Sequence, residues 1–144
     1  MSKILLIGGN GYIGSRLQEV LEVDVVDTNW FNDRGNGEDF KNFTSRHYSD
    51  YDTIILLAGH SSVKMSEGNL NSCFNNNVRN FIDLIEKLDK QKLIYASSSS
   101  VYGSVGGKTV NEKYYGFEPY NQYDISKHTA DLYAQKSDVE YYGL

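Results

Sequence analysis

Tyr123 and Lys127 stand four residues apart in the segment YDISK, so on a helix their side chains share one face. A phenol and an amine in that relation can carry out proton transfer. The phenol, with a pKa of about 10, works near neutrality only if its ionised form is stabilised. A change of about three pKa units is on the order of 4 kcal/mol of electrostatics, much of which a neighbouring ammonium can provide. Chance alone makes such pairs in a chain with twelve tyrosines, so the elements around the pair must carry the argument. It lies in Asn121–Gln135, which reads as a helix, downstream of a serine tract, Ser97–Ser100. The tract directly follows Lys92–Ala96, KLIYA, an apolar run of strand length.

The N-terminus supplies the second half of the pattern. Ile4, Leu5, Leu6 and Ile7 form an apolar strand that ends in glycines, with Gly8, Gly11 and Gly14 at intervals of three. Gly9, Gly11 and Gly14 also satisfy G-x-G-x-x-G. A tight turn at Gly8, a position without Cβ at Gly11 and a close helix–strand approach at Gly14 are what a dinucleotide-binding turn requires. The diphosphate would lie at the start of a helix expected over Gly11–Leu21, with Tyr12 and Ile13 in its first turn among the cofactor-binding residues. Val23–Asp27, VDVVD, reads as the second strand, and Asp27 lies 19 positions beyond Gly8. A carboxylate there can hold the adenosine ribose hydroxyls and opposes a 2′-phosphate, which favours NAD. Arg34 close by leaves NADP open.

These elements fit one α/β domain spanning residues 1–144, with no second domain. The expected architecture is a Rossmann-type doubly wound parallel sheet of strand order 3-2-1-4-5-6. Asn29–Asn42 reads as a loop, in which Asp39 is an unpromising adenine contact. Arg46–Tyr48 would be a short third strand, and Asp52–Gly59, DTIILLAG, a fourth, with Ala58 and Gly59 small enough for a cofactor to pass. Val78, Phe81, Ile82, Ile85 and Leu88 follow the helical period from Val78 to Leu88. Residues 104–120 are loop-like, and Val139–Leu144 begins a sixth strand within which the sequence stops, so that a substrate domain is missing.

The composition narrows the function classes. A net charge of −5 and the lack of a basic run argue against nucleic acid or an anionic membrane surface as partner. Cys73 is the sole cysteine, so an internal disulfide is impossible and a reducing, cytoplasmic setting fits. His47, His60 and His128 lack ligand spacing, and no metal is expected. No stretch approaches the roughly 18 apolar residues of a membrane span.

In family order, GGNGYIG at Gly8–Gly14, Asp27, LLAGHSSV at Leu56–Val63, NNV at Asn76–Val78, SSSSVYG at Ser97–Gly103 and YDISK resemble the extended short-chain dehydrogenase/reductase family. The resemblance is to its NAD-dependent epimerase/dehydratase group, which acts on nucleotide sugars, and it runs the whole length of the chain. It implies that Ser98, three residues before Val101, is the catalytic serine beside Tyr123 and Lys127. It further implies that Lys127 also bonds the nicotinamide ribose, that Asn77 helps hold the active-site end of the cofactor, and that Ala58 and Gly59 line it. Ser98 would orient a substrate hydroxyl while hydride passes to the cofactor.

Two departures matter. Dehydratases of the group carry Asp-Glu after the catalytic residue, whereas Ser99 and Ser100 stand here, which argues against 4,6-dehydration. Family members are also about twice as long, their second half recognising the substrate. The expected function is therefore an NAD-dependent nucleotide-sugar epimerase or reductase, present as its cofactor-binding half. The alternative is a stand-alone NAD-binding module or inactive remnant without turnover. An uncovered last strand would favour homo-oligomers.

Overall fold

The computed structural model describes residues 2–28 and 37–144. Arg34 and the Asn29–Asn36 part of the expected loop lie outside the described residues. The described chain forms five parallel strands, β1 (Ile4–Ile7), β2 (Asp24–Val26), β3 (Thr53–Leu56), β4 (Lys92–Tyr95) and β5 (Tyr141–Gly143). Their spatial order is β2-β1-β3-β4-β5. Leu5 aligns with Asp24 on one side and with Ile54 on the other, and Ile54 with Leu93. Apolar runs suit strands that are hydrogen-bonded on both edges and covered on both faces. Leu5, Leu6, Ile7, Ile54, Ile55, Leu56 and Leu93 are accordingly buried.

Alternation along the strands turns Leu5, Ile7, Ile54, Leu56, Leu93 and Tyr95 to one face. There they pack with Phe81, Leu84 and Ile85 of α5 (Asn80–Ile85) and Ala130 and Ala134 of α6 (Gln122–Lys136). Phe40, Phe43 and Tyr48 close the same core beside β2. On the other face Leu6 and Ile55 are buried beside the short α1 (Tyr12–Leu17), but cover thins outward, and Tyr142 on β5 is half-exposed.

The parallel α/β architecture is as expected, with one strand fewer. Arg46–Tyr48 is part of a helix, α2 (Ser45–Tyr48), instead of a third strand. The Thr44 amide donates to His47 Nδ1 at 2.9 Å, closing the helix start, and Tyr48 is fully buried with its carbonyl accepting from Gln91 Nε2 at 3.1 Å. Three residues hold too little period to separate strand from helix.

The expected helix over Gly11–Leu21 is regular only to Leu17 and continues as turns. The Val78–Leu88 helix starts earlier, in a wide π-helical turn over Asn75–Arg79, and its regular part ends at Ile85. Two short helices, α3 (Val63–Glu67) and α4 (Leu70–Phe74), fill a region that has no apolar period of its own. Each is started by a side-chain cap, Ser62 on the Met65 amide and Asn69 on the Ser72 amide.

Candidate cofactor and catalytic site

The chain crosses from the β2 side to the β3 side of the sheet at β1, so a crevice opens at the carboxyl ends of β1 and β3. Two cavities occupy it, about 300 Å³ beside Asp27 and about 230 Å³ beside Tyr123. Ala58, Gly59, His60 and Asn76 line both, so the two meet over the end of β3.

The glycine turn is shaped by contacts that exclude side chains. Gly8 has φ +85°, and a Cβ on it would stand 2.6 Å from the Ala58 amide nitrogen. A Cβ on Gly14 would lie 2.6 Å from Gly9 Cα, so α1 sits directly on the turn. Gly11 differs: its nearest neighbour would be the Gly8 carbonyl oxygen at 3.5 Å, an ordinary contact. Packing therefore does not exclude a side chain at Gly11, which caps the start of α1. Tyr12 is largely exposed beside it, and Ile13 reaches the wall of the smaller cavity.

Asp27 follows β2 and lines the larger cavity, its Oδ2 accepting from the Asn10 amide at 2.9 Å. That bond ties the carboxylate to the glycine turn. Asp39, unpromising in the sequence, lines the same cavity. Its Oδ2 lies 2.8 Å from Lys41 Nζ and its Oδ1 accepts from the Lys41 amide.

At the other end, α6 begins with two side-chain caps: Asn121 Oδ1 accepts from the Asp124 amide at 3.0 Å and Asp124 Oδ2 from the Tyr120 amide at 2.9 Å. This start fixes the rotation of the helix, so that Tyr123 and Lys127 both face the smaller cavity with Ser98. Ser98 Oγ accepts from the Ser100 amide at 3.1 Å, starting a 3-10 turn over Ser99–Tyr102. Lys127 Nζ donates to the Ala96 carbonyl at 2.9 Å and lies 6.0 Å from the Tyr123 ring centroid. Burial pushes the Tyr123 phenol up, and its hydrogen bond with Ser98 opposes this only in part. Lys127 is pulled down by its own burial, partly offset by Asp131. With these side chains alone, Tyr123 is therefore held as the neutral acid, and the stabilisation that the sequence argument asked of Lys127 is not realised.

Asn77 is buried and fully engaged. Its Oδ1 accepts from the His60 amide at 2.8 Å, and its Nδ2 donates to the His60 carbonyl and to Ser126 Oγ, both at 3.2 Å. It clamps the Gly59–His60 turn to α6, so it shapes the cavity wall through the backbone. Gly59, at φ +146°, is required there because a Cβ would lie 2.8 Å from Asn77 Oδ1. Sequence reading missed Ser97 and Asp131, which also line the smaller cavity, and left His60 as a loop residue although it lines both. Asp131 does have a signal, since it falls one helical turn beyond Lys127.

Residues 4–144 match the NAD dependent epimerase/dehydratase family. The chain belongs to that family. A curated relative, the N-acetyl-alpha-D-glucosaminyl-diphospho-ditrans,octacis-undecaprenol 4-epimerase of Escherichia coli O157:H7, is 28% identical over 89% of this chain and 41% of its own length. Protein CapI of Staphylococcus aureus is 29% identical over 92% of this chain and 45% of its own. The chain thus spans less than half the length of these curated relatives. Among solved structures, the UDP-glucuronic acid 4-epimerase of Bacillus cereus, in complex with UDP-glucuronic acid and NAD, superposes at TM-score 0.76 with 26% identity, covering 96% of this chain and 54% of that one. The UDP-N-acetylglucosamine 4-epimerase of Methanobrevibacter ruminantium M1, in complex with UDP-N-acetylmuramic acid, shares the fold at TM-score 0.84 and 23% identity, covering 97% and 53%. No helix among the described residues is long and apolar enough to cross a membrane.

Proposed function

We propose that this chain, as a single domain over residues 1–144, is the NAD-binding and catalytic half of a nucleotide-sugar epimerase or reductase of the family. The observation that carries the reading is the polarity of the crevice. Asp27 stands at one end, Ser98, Tyr123 and Lys127 at the other, and the small residues Ala58 and Gly59 lie where the two cavities meet. That shape fits a dinucleotide lying across the switch point of the sheet, with its adenosine ribose at Asp27. Gly8, Gly11 and Gly14, with Tyr12 and Ile13, would hold its diphosphate, and Asn77 would act by holding the wall. Asp27 favours NAD over NADP because its charge opposes a 2′-phosphate.

When bound, NAD supplies the hydride acceptor and donor. The side chains do the rest. Ser98 holds the hydroxyl of the sugar carbon that is oxidised, and Tyr123 takes the hydroxyl proton and returns it. With NAD bound, Lys127 would reach the ribose next to the nicotinamide and add its positive charge to that of the cofactor, together making accessible the phenolate that the side chains alone do not stabilise. With Ser99 and Ser100 after Ser98, no second acid–base pair is available for 4,6-dehydration. A cytoplasmic setting suits the buried thiol of Cys73. A nucleotide sugar is the proposed substrate of the whole protein.

The test separates binding from turnover. Tyr123→Phe is expected to leave NAD affinity unchanged and to abolish interconversion of UDP-N-acetylglucosamine or UDP-glucuronic acid in any form of the protein that catalyses it. Full turnover in that variant would contradict the assignment.

A further inference from the structure

Asp131 lies on α6 one turn beyond Lys127, outside every motif in the sequence, yet its carboxylate is held by two hydroxyls. Tyr95 Oη donates to Oδ1 at 2.8 Å, and Ser97 Oγ lies 2.9 Å from Oδ1 and 2.8 Å from Oδ2. Between those two residues, Ala96 offers its carbonyl to Lys127 Nζ. Three consecutive residues at the end of β4 are therefore bound by two side chains one turn apart on α6. Asp131 is also the one carboxylate on the wall of the Tyr123 cavity among the described residues.

We propose that Asp131 is a positioning residue for the reaction: it seats α6 on the end of β4 and places a fixed negative charge beside the Lys127 amine. This rests on the reading that Lys127 assists Tyr123. The groups facing Lys127 are Asp131 and Tyr123 on its own helix, Cys73 from α4, and Tyr95 and His60 on the cavity wall. Burial disfavours the ammonium, and Asp131 is the largest influence opposing it. Without that charge the buried amine would lose its proton more readily and could no longer stabilise a phenolate.

The test reads the ionisation of Lys127 by NMR in lysine-labelled 144-residue protein, with Lys127→Met to assign the signal. Asp131→Asn keeps the shape and removes the charge. It should lower the Lys127 titration midpoint by about one pH unit or more, a tenfold change in its acid constant. Asp131→Glu should restore the midpoint, whereas Ser97→Ala, which removes a hydrogen bond and keeps the charge, should leave it in place. If Asp131→Asn does not fold, Asp131→Ser, which also removes the charge, is read in the same way. A Lys127 midpoint that ignores removal of the Asp131 charge in folded protein overturns the proposal. None of these readouts uses cofactor or sugar. Failure of the protein to bind NAD would therefore defeat the proposed function while the charge coupling is judged separately.

Discussion

The glycine turn makes a prediction that separates stability from binding. In Gly14→Ala the new methyl would stand 2.6 Å from Gly9 Cα and carbonyl oxygen and 2.7 Å from the Gly8 carbonyl oxygen. All three are backbone atoms, so no rotamer change relieves the clash and α1 must move off the turn. Overpacking of this kind costs about 1–3 kcal/mol, which at this chain length lowers the melting temperature by about 2–4 °C per kcal/mol. Gly11→Ala meets nothing closer than 3.5 Å, and its backbone at φ −74° and ψ 176° suits any residue. Lower unfolded-state entropy favours alanine by about 0.4–1 kcal/mol, and a poorer helix start costs about 0.5–1 kcal/mol, so the two nearly cancel. Gly11→Ala should therefore melt within a few degrees of the unmodified protein, yet its methyl would enter the proposed diphosphate site. A loss of NAD affinity of at least tenfold, about 1.4 kcal/mol, is expected. Thermal melts with and without NAD measure both effects. A Gly14→Ala variant as stable as the parent would refute the packing argument, and unchanged NAD affinity in Gly11→Ala would refute the ligand argument.

Asp27→Asn should narrow the preference for NAD over NADP by weakening the ribose contact and removing the repulsion, as calorimetry with both cofactors would show. Tyr123→Phe should lower turnover at least ~10²-fold wherever sugar turnover is measurable, while the 144-residue chain itself should bind NAD without turning over a nucleotide sugar. At alkaline pH the chain should lose stability. Burial raises the phenols of Tyr48 and Tyr95, so the unfolded chain ionises first, near pH 10, and each such tyrosine removes about 1.4 kcal/mol per pH unit above that. A denaturant series from pH 9 to 11 should show this fall, with a shallower slope in Tyr95→Phe. Among the described residues β5 pairs only with β4, and Tyr142 on it and Leu144 after it are exposed, so self-association is expected in light scattering, and a stable monomer would show that the edge is protected.

Much of this arrangement was legible in the sequence because local patterns and the long-range order coincide. Continuous apolar runs marked β1, β3 and β4, the glycine spacing marked the turn, and the four-residue step from Tyr123 to Lys127 marked the helix face. Arg46–Tyr48 misled because its one large apolar residue, Tyr48, can fill a core from a helix as readily as from a strand. α3 and α4 were invisible because Ser62 and Asn69 caps define them instead of an apolar stripe. Asp131 escaped because its role depends on Tyr95 and Ser97, more than thirty residues away. Asn77 was found through the family pattern, but its work is a clamp on His60 and Ser126 that no linear motif expresses.

The central claim is that the crevice from Asp27 to Lys127 is a dinucleotide site, and a calorimetric titration of the 144-residue protein with NAD tests it most directly. Saturable binding of one NAD per chain, weaker for NADP and weakened by Gly11→Ala, is the predicted result. Absence of saturable NAD binding by the folded protein would contradict the account.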